Sequence, residues 1–280
     1  MRGSHVRLNQ TIVLAMLRWL PALALLLATP AFAQMPHMEG GRLIVDGKPF
    51  LIRGGELGNS SATDRAWLRP HWQRLKALHL NTVLAPVTWE AIEPEEGRFD
   101  FSSLDWLVED ARANDMRLVL LWFGSWKNSM STYVPAWVKR DGKRFLRSTG
   151  EDGQPQDILS VFGMATRDAD ARAFAALMKH LKAIDGDRHT VLMVQVENEI
   201  GFLPTAREHG PLADAAFARW KGGEEGFTAH HYARWANAVA EAGKREYALP
   251  MYVNGAQGRP GKLPGEYPSG GPLAHLMQIW

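Results

Sequence analysis

Short apolar runs alternate with amphipathic stretches from residue 43 to residue 253, and this rhythm leaves few folds open. Thr82-Val83-Leu84-Ala85-Pro86-Val87, Leu118-Val119-Leu120-Leu121-Trp122 and Thr190-Val191-Leu192-Met193-Val194-Gln195-Val196 are nearly unbroken apolar segments, as strands buried on both faces require. Between and after them, Ala66 to Leu80, Ser102 to Asn114, Asp168 to Ile184 and Thr228 to Ala242 carry apolar residues at helical spacing, with Asp64 and Ser102 or Ser103 as candidate caps. Strand candidates also run from Leu51 to Gly55 and from Pro250 to Val253, and Pro272 to Trp280 reads as the start of a helix. Leu43 to Ile52, with an Asp46-Gly47 turn, reads as a hairpin ahead of the first unit. The pattern predicts an α/β fold with a parallel sheet covered by helices.

Two features favour a (β/α)8 barrel over an open doubly wound sheet. Acidic, aromatic and amide residues collect just after the strands, at Glu56, Trp89-Glu90, Trp122 to Asn128 and Glu197-Asn198-Glu199, the end where barrels carry their chemistry. Arg53-Gly54-Gly55-Glu56 after the first strand lacks the spacing of a dinucleotide-binding turn. Only five strand candidates can be counted, and three more units of about 30 residues each would be needed to close a barrel. The expectation is therefore a barrel truncated after about five βα units.

Trp19 to Ala33 is an apolar stretch behind Arg18 that ends in Ala31-Phe32-Ala33, a small-x-small pattern suited to signal peptidase. Residues 1–33 are expected to be a signal peptide, with Met16 as an alternative start, and residues 34–280 the partial catalytic barrel. Export to the periplasm or the medium follows. Pro21, Pro30 and the short apolar core argue against a membrane anchor.

Composition removes several classes. The chain has no cysteine, so thiolate catalysis and cysteine-ligated zinc are excluded. The formal charge of +2 without a long basic run gives no sign of a nucleic-acid partner. His230-His231 lacks a Glu at metalloprotease spacing, Ser60, Ser61 and Ser269 have no nucleophile-elbow context, and neither a metal nor a cofactor is expected. Eleven tryptophans, many near strand ends, hint at sugar binding.

The sharpest motif is Val194-Gln195-Val196-Glu197-Asn198-Glu199-Ile200-Gly201, an apolar strand that releases amide and carboxyl groups at its end. A carboxyl group there, against apolar walls, can be held protonated to serve a leaving oxygen. Glu197 and Glu199 are not presumed to share the site, and the residues alone leave open a structural role for the group.

Gln195-Val196-Glu197-Asn198-Glu199-Ile200-Gly201 resembles the acid/base signature of the glycoside hydrolase family 35 beta-galactosidases, where Tyr usually stands at the position of Ile200. Further matches follow in family order: Val45 to Phe50, Gly55-Glu56, Leu80 to Val83, Trp89-Glu90 with Glu93 to Phe101, and Val134 to Trp137. The resemblance implies that Glu199 is the general acid and then the general base, and that Asn198 binds the 2-hydroxyl of a galactose. It also implies a retaining mechanism whose nucleophilic Glu lies on a seventh strand, beyond residue 280, so that the present chain would be an inactive fragment. Glu266 reads as a loop residue instead.

The loops depart from the family pattern. Pro86 replaces a Tyr, and Trp122-Phe123-Gly124-Ser125-Trp126-Lys127-Asn128 replaces an Arg-Pro-Gly-Pro-Tyr run. The replacement resembles a bacterial subgroup, some of whose members act on galactose side chains of plant polysaccharide. Trp122 and Trp126 could stack on sugar faces or pack the barrel rim, and Asn128 could bond a hydroxyl. Glu56 and Trp89 complete the expected sugar contacts, Glu56 or Glu90 being equally suited to pairing with a base. The expected substrate is a terminal beta-galactoside of an oligo- or polysaccharide. Another barrel glycosidase, of endo-glucanase or mannanase type, and a non-catalytic carbohydrate-binding remnant are the alternatives.

Overall fold

Asp46-Gly47 makes a tight turn with φ of 50° and 74°, the left-handed pair that a two-residue hairpin demands. The computed structural model describes residues 34–274, so the expected leader lies outside the described residues. The turn joins β2 (Arg42–Val45) to β3 (Lys48–Pro49), and β1 (His37–Glu39) pairs antiparallel with β2 to make a three-stranded ribbon. Leu43 and Val45 of this ribbon pack with Leu192. Arg117 donates to Asp46 at 2.9 Å, and the His189 ring lies 3.3 Å from the same carboxylate. Arg117 begins one strand of the main sheet and His189 lies just before another, so the ribbon closes the amino-terminal end of that sheet.

The main sheet contains β4 (Gly54–Glu56), β5 (Thr82–Thr88), β6 (Arg117–Phe123), β9 (Val191–Val196) and β10 (Met251–Tyr252), all parallel. Each new strand adds beside the previous one, in the order β4, β5, β6, β9, β10, with no reversal. That order is the one a barrel needs, whereas a doubly wound sheet reverses at a switch point. β6 explains why these segments are apolar throughout. Leu118, Leu120 and Trp122 face the helices, while Val119, Leu121 and Phe123 form a second cluster on the other face.

The sheet is curled. Ile52, just before the first strand, and Tyr252, on the fifth, pack against the same inner cluster. The charge of Glu56 also acts on Tyr252, whose phenol burial pushes up to about 12. Four flat strand spacings of about 4.8 Å would hold those two edges roughly 19 Å apart, beyond a Debye length of about 8–10 Å.

The crossovers carry the helices. The expected helix from Ala66 to Leu80 is broken into α1 (Arg65–Leu68), a short 3-10 turn over 69–71 and α2 (Trp72–Ala77), because Pro70 cannot donate to a helical ladder. Asp64 caps α1 as expected, accepting from the backbone N–H groups of Ala66 and Trp67. After β5 come α3 (Trp89–Ile92) and α4 (Ser102–Ala113). Asp100, rather than Ser102 or Ser103, supplies the side-chain acceptor at the start of α4. After β6 come α5 (Ala136–Arg140), an unforeseen hairpin of β7 (Arg147–Thr149) and β8 (Pro155–Leu159), and α6 (Met164–Asp185). After β9 come α7 (Pro211–Phe217) and α8 (Glu224–Glu246), and α9 (Gly271–Ala274) follows β10. α6 and α8 pack along one another over the outer face of the sheet. No helix among the described residues is long and apolar enough to cross a membrane.

Candidate active site

Polar side chains gather where β6, β9 and β10 end. β9 stops at Val196, and the next turn contains two non-glycine residues with left-handed backbone, Glu197 at φ 60° and Glu199 at φ 43°. A regular strand would keep residues two apart on the same face; the two left-handed steps send these carboxyl groups to different places. Gly201, at φ 152°, completes the turn, where a Cβ would come within 2.8 Å of Pro268.

Glu197 turns inward and is 1% exposed. Its carboxyl accepts from the backbone N–H groups of Ser125 at 3.2 Å and Trp126 at 2.9 Å. Beside it, Asp170 of α6 accepts from Trp122 Nε1 at 2.9 Å, Ser125 N at 2.8 Å and Ser125 Oγ at 2.5 Å. Burial, then the charge of Asp170 and a hydrogen bond to it, push Glu197 well above the usual carboxylate range. Glu197 is thereby held toward its protonated form, while Asp170 beside it receives three donors. Gly124 is required here, since a Cβ would lie 2.5 Å from the Trp122 indole nitrogen and 2.7 Å from both Asp170 oxygens.

Glu199 turns outward. Its side chain is 42% exposed, and Lys127 Nζ lies 3.6 Å from its Oε2. The backbone N–H of Glu199 donates to Asn254 Oδ1 at 2.8 Å, and Asn254 Nδ2 donates to Asn198 Oδ1 at 2.8 Å. Asn198 Oδ1 also accepts from Gln195 Nε2 at 2.8 Å, while its Nδ2 donates to the Lys127 carbonyl at 2.7 Å. Asn198 is thus saturated by protein except for one N–H, the polar handle it has left for a ligand. Lys127, Asn198, Glu199 and Asn254 form one group fed by three strand ends.

The other expected site residues divide. Glu56 is exposed at the end of β4, on the side where Tyr252 feels its charge. Asn128 is half-buried, and its Oδ1 closes a local turn by accepting from Met130 N at 2.8 Å and Ser131 Oγ at 2.9 Å. Glu90 pairs with Lys139 at 2.8 Å, the base-pairing option left open for it. Glu266 is an exposed loop residue paired with Lys262 at 2.7 Å.

The three tryptophans expected to touch sugar lie in the core instead. Trp89 donates to Glu93 Oε2 at 2.8 Å and meets Trp137 edge to face. Trp122 turns toward the helices, against Phe174 and Asp170. Trp126 packs on Tyr232 and Trp235 of α8. None is more than 1% exposed, so none offers a ring face to a ligand. The parity of β6 is the reason for Trp122: the residue shares the helix-facing side with Leu118 and Leu120.

Sequence reasoning passed over Asn254, Lys127 and Asp170. Asn254 follows an apolar strand just as Asn198 does, and that was the available signal. Asp170 had none, since a single acid within a helix reads as a solvated face.

No group of three or more His, Asp or Glu residues suited to a metal ion occurs among the described residues. His230 and His231 pack against Trp220, Phe162 and Phe227.

A curled parallel sheet with its polar cluster at the strand carboxyl ends defines an α/β protein of the barrel type. Solved structures agree in fold: the catalytic domain of beta-amylase from Paenibacillus polymyxa (TM-score 0.53, 10% identity, 72% of this chain and 65% of that one) and an exo-beta-1,4-mannosidase from an Opitutaceae bacterium (TM-score 0.50, 15% identity, 81% and 34%). The chain belongs to the glycoside hydrolase 42 beta-galactosidase family, whose model matches residues 60–239. It is 30% identical over 205 residues to a beta-galactosidase of Xanthomonas manihotis, covering 69% of this chain and 31% of that protein. It is 29% identical over 180 residues to human beta-galactosidase-1-like protein 3, covering 62% and 25%. The chain thus spans about a third or less of the length of these relatives.

Proposed function

We propose that this protein is a retaining exo-beta-galactosidase, exported, that removes terminal beta-galactose from oligo- or polysaccharide such as plant cell-wall side chains. The observation that carries the reading is the placement of Glu199: a half-exposed carboxyl at the end of the fourth strand of the parallel sheet, fixed through its backbone by Asn254 and flanked by Lys127 and Asn198. Membership of a beta-galactosidase family supports the substrate class. The finer resemblance to family 35 and its bacterial subgroup rests on the motifs around Glu199 and Trp122. The leader-like segment from Trp19 to Ala33 supports export.

In this reading a second carboxylate, the Glu that the family resemblance puts on a seventh strand beyond residue 280, attacks the anomeric carbon to form a glycosyl ester while Glu199 donates its proton to the departing glycosidic oxygen. Glu199 then takes a proton from the water that releases galactose. Lys127 keeps the carboxyl oriented, and the free N–H of Asn198 meets a galactose hydroxyl. The buried Glu197–Asp170 pair takes no proton from substrate; it holds the loop bearing Lys127 against the turn bearing Glu199.

The test, run on the protein extended through that seventh strand because the present chain alone is expected to be inactive, is release of 4-nitrophenol from the beta-galactoside, compared with the beta-glucoside, beta-mannoside and beta-glucosaminide. Preference for the galactoside and a loss of about 10²–10⁴-fold in kcat/KM for methyl galactoside in Glu199→Gln are expected. Preference for another sugar, or full activity in Glu199→Gln, overturns the reading. Galactose binding without any turnover would make the protein a binding module.

A further inference from the structure

A second concave site lies on the outer flank, away from the Glu199 group. It is a groove of about 280 Å³ where the start of α6, the α7 segment and the middle of α8 meet. Three arginines from three separate elements line it: Arg167 of α6, Arg219 just after α7, and Arg234 of α8. No Asp or Glu is among its described lining residues. Arg167 also holds its neighbour Asp168 at 2.8 Å, which leaves that guanidinium partly neutralised. Arg219 and Arg234 have no ion-pair partner among the described residues. Surface arginines in a mixed-charge protein usually find a carboxylate, as Arg65, Arg98 and Arg144 do here. Two unpaired guanidinium groups facing one groove amount to an unmet demand for anions.

The rest of the lining is apolar. Met164 is 48% exposed and Leu212 55% exposed, both large for side chains of their type, and Phe162 and Trp235 stand beside them. The indole N–H of Trp235 is buried and has no acceptor, a polar group that a well-packed wall would have satisfied. His231 also lines the groove, and burial, then the charges of His230 and Arg234, lower it to about 4. It is therefore neutral at pH 7 and able to exchange a hydrogen bond with a hydroxyl. Guanidinium groups, apolar surface and a neutral hydrogen-bonding ring in one groove suit a ligand that carries carboxylates, apolar C–H faces and hydroxyls together. A bare phosphate would leave the apolar wall unused.

We propose that this groove is a secondary binding site for an acidic carbohydrate chain, one bearing carboxylate groups on successive sugar rings. The choice of carbohydrate rests on the glycosidase reading above; the anionic character rests on the groove itself. Arg219 and Arg234 pair with carboxylates, and the exposed Met164 and Leu212 underlie the sugar faces. Such a site would hold the enzyme on a charged polysaccharide while the Glu199 site works on neutral side chains.

Isothermal titration with trigalacturonate tests it, with galactotriose and inorganic phosphate as comparison ligands. Binding of trigalacturonate that weakens as salt rises, with the other two at least 10-fold weaker, is the expected result. The double variant Arg219→Ala/Arg234→Ala should lose at least 10-fold in that affinity. Made in the extended protein, it should keep wild-type hydrolysis of 4-nitrophenyl galactoside, since neither residue touches the Glu199 group. Undiminished binding in the double variant, equal binding of galactotriose, or phosphate binding as tightly as trigalacturonate would each overturn the proposal. The two readings fail separately: galactosidase activity without trigalacturonate binding removes the groove alone, and the reverse removes the galactosidase assignment.

Discussion

Asn254 and Asn198, at the ends of adjacent strands, are joined side chain to side chain: Asn254 Nδ2 donates to Asn198 Oδ1 at 2.8 Å. The same Asn254 accepts the backbone N–H of Glu199, also at 2.8 Å. One carboxamide thus fixes both the left-handed backbone of the acid and the amide beside it. Asn254→Ala orphans that N–H and frees one acceptor position on Asn198. We expect a stability loss of about 1–3 kcal/mol by urea unfolding. In the proposed reaction kcat/KM should fall about 10- to 100-fold, because a misplacement of about 1 Å costs that much. Asn254→Asp can still accept from Glu199 but cannot donate to Asn198, so it should fall between wild type and Ala. Activity equal to wild type in Asn254→Ala would mean that the turn holds itself.

The buried acid pair makes an asymmetric prediction. Asp170 receives three donors, so Asp170→Asn presents an amide N–H₂ to groups that are themselves donors. Its cost should be about 3–5 kcal/mol, the range for breaking a buried charged network. Glu197→Gln keeps the shape, donates to Asp170 as the protonated acid does, and still accepts from Trp126. It should cost less than about 1 kcal/mol at pH 7. Urea unfolding of the two variants decides the matter, and the opposite ranking would place the proton on Asp170.

Trp122→Phe separates packing from sugar contact. The indole N–H is bonded to Asp170 and the ring lies against Phe174, on the helix-facing side of the sheet. Loss of the N–H should destabilise the fold by about 1–3 kcal/mol, because it leaves a buried carboxylate short of one donor. KM for a galactoside should stay within about twofold of wild type. A rise of tenfold or more in KM with unchanged stability would return Trp122 to the binding site.

How far the sequence could be read follows from what each signal depends on. The apolar runs at 82–87, 118–122 and 190–196 became strands because a sheet buried on both faces tolerates few other residues, and the polar residues that follow them, with no dinucleotide turn after the first, pointed to the barrel class. Glu199 and Asn198 were legible as strand-end groups. The tryptophans were misread because position after a strand does not determine side-chain direction. Strand parity does, and it turned Trp122 away from the cluster. The split between Glu197 and Glu199 was hidden because it depends on two left-handed residues, which no spacing rule anticipates for Glu. Asp170, 27 residues before Glu197 in the chain, meets it only through tertiary packing. The hairpin of β7 and β8 was missed since its residues, such as Arg147 and Gln156, are too polar to read as strand.

Glu208 supplies the pH test. It is 7% exposed, accepts from Ser160 Oγ at 2.5 Å, and is pushed up from 4.5 to about 8 by burial, which outweighs the hydrogen bonds from Ser160, Val161 and Thr149. In the unfolded chain the group loses its proton near the lower value; in the fold it keeps it to the higher one. Between the two the folded state binds the extra proton, so stability is greatest at the acid end and falls as pH rises, levelling above about 8. One such group contributes a slope of about 1.4 kcal/mol per pH unit. Glu197, raised by burial as well, acts in the same direction. Urea unfolding at pH 5, 6, 7, 8 and 9 should therefore show wild-type stability declining toward pH 8. Glu208→Gln should flatten the decline without abolishing it, and should become the more stable protein at pH 8, where the wild type bears the cost of a buried charge. A decline unchanged by Glu208→Gln would mean that Glu208 titrates alike in the folded and unfolded chains.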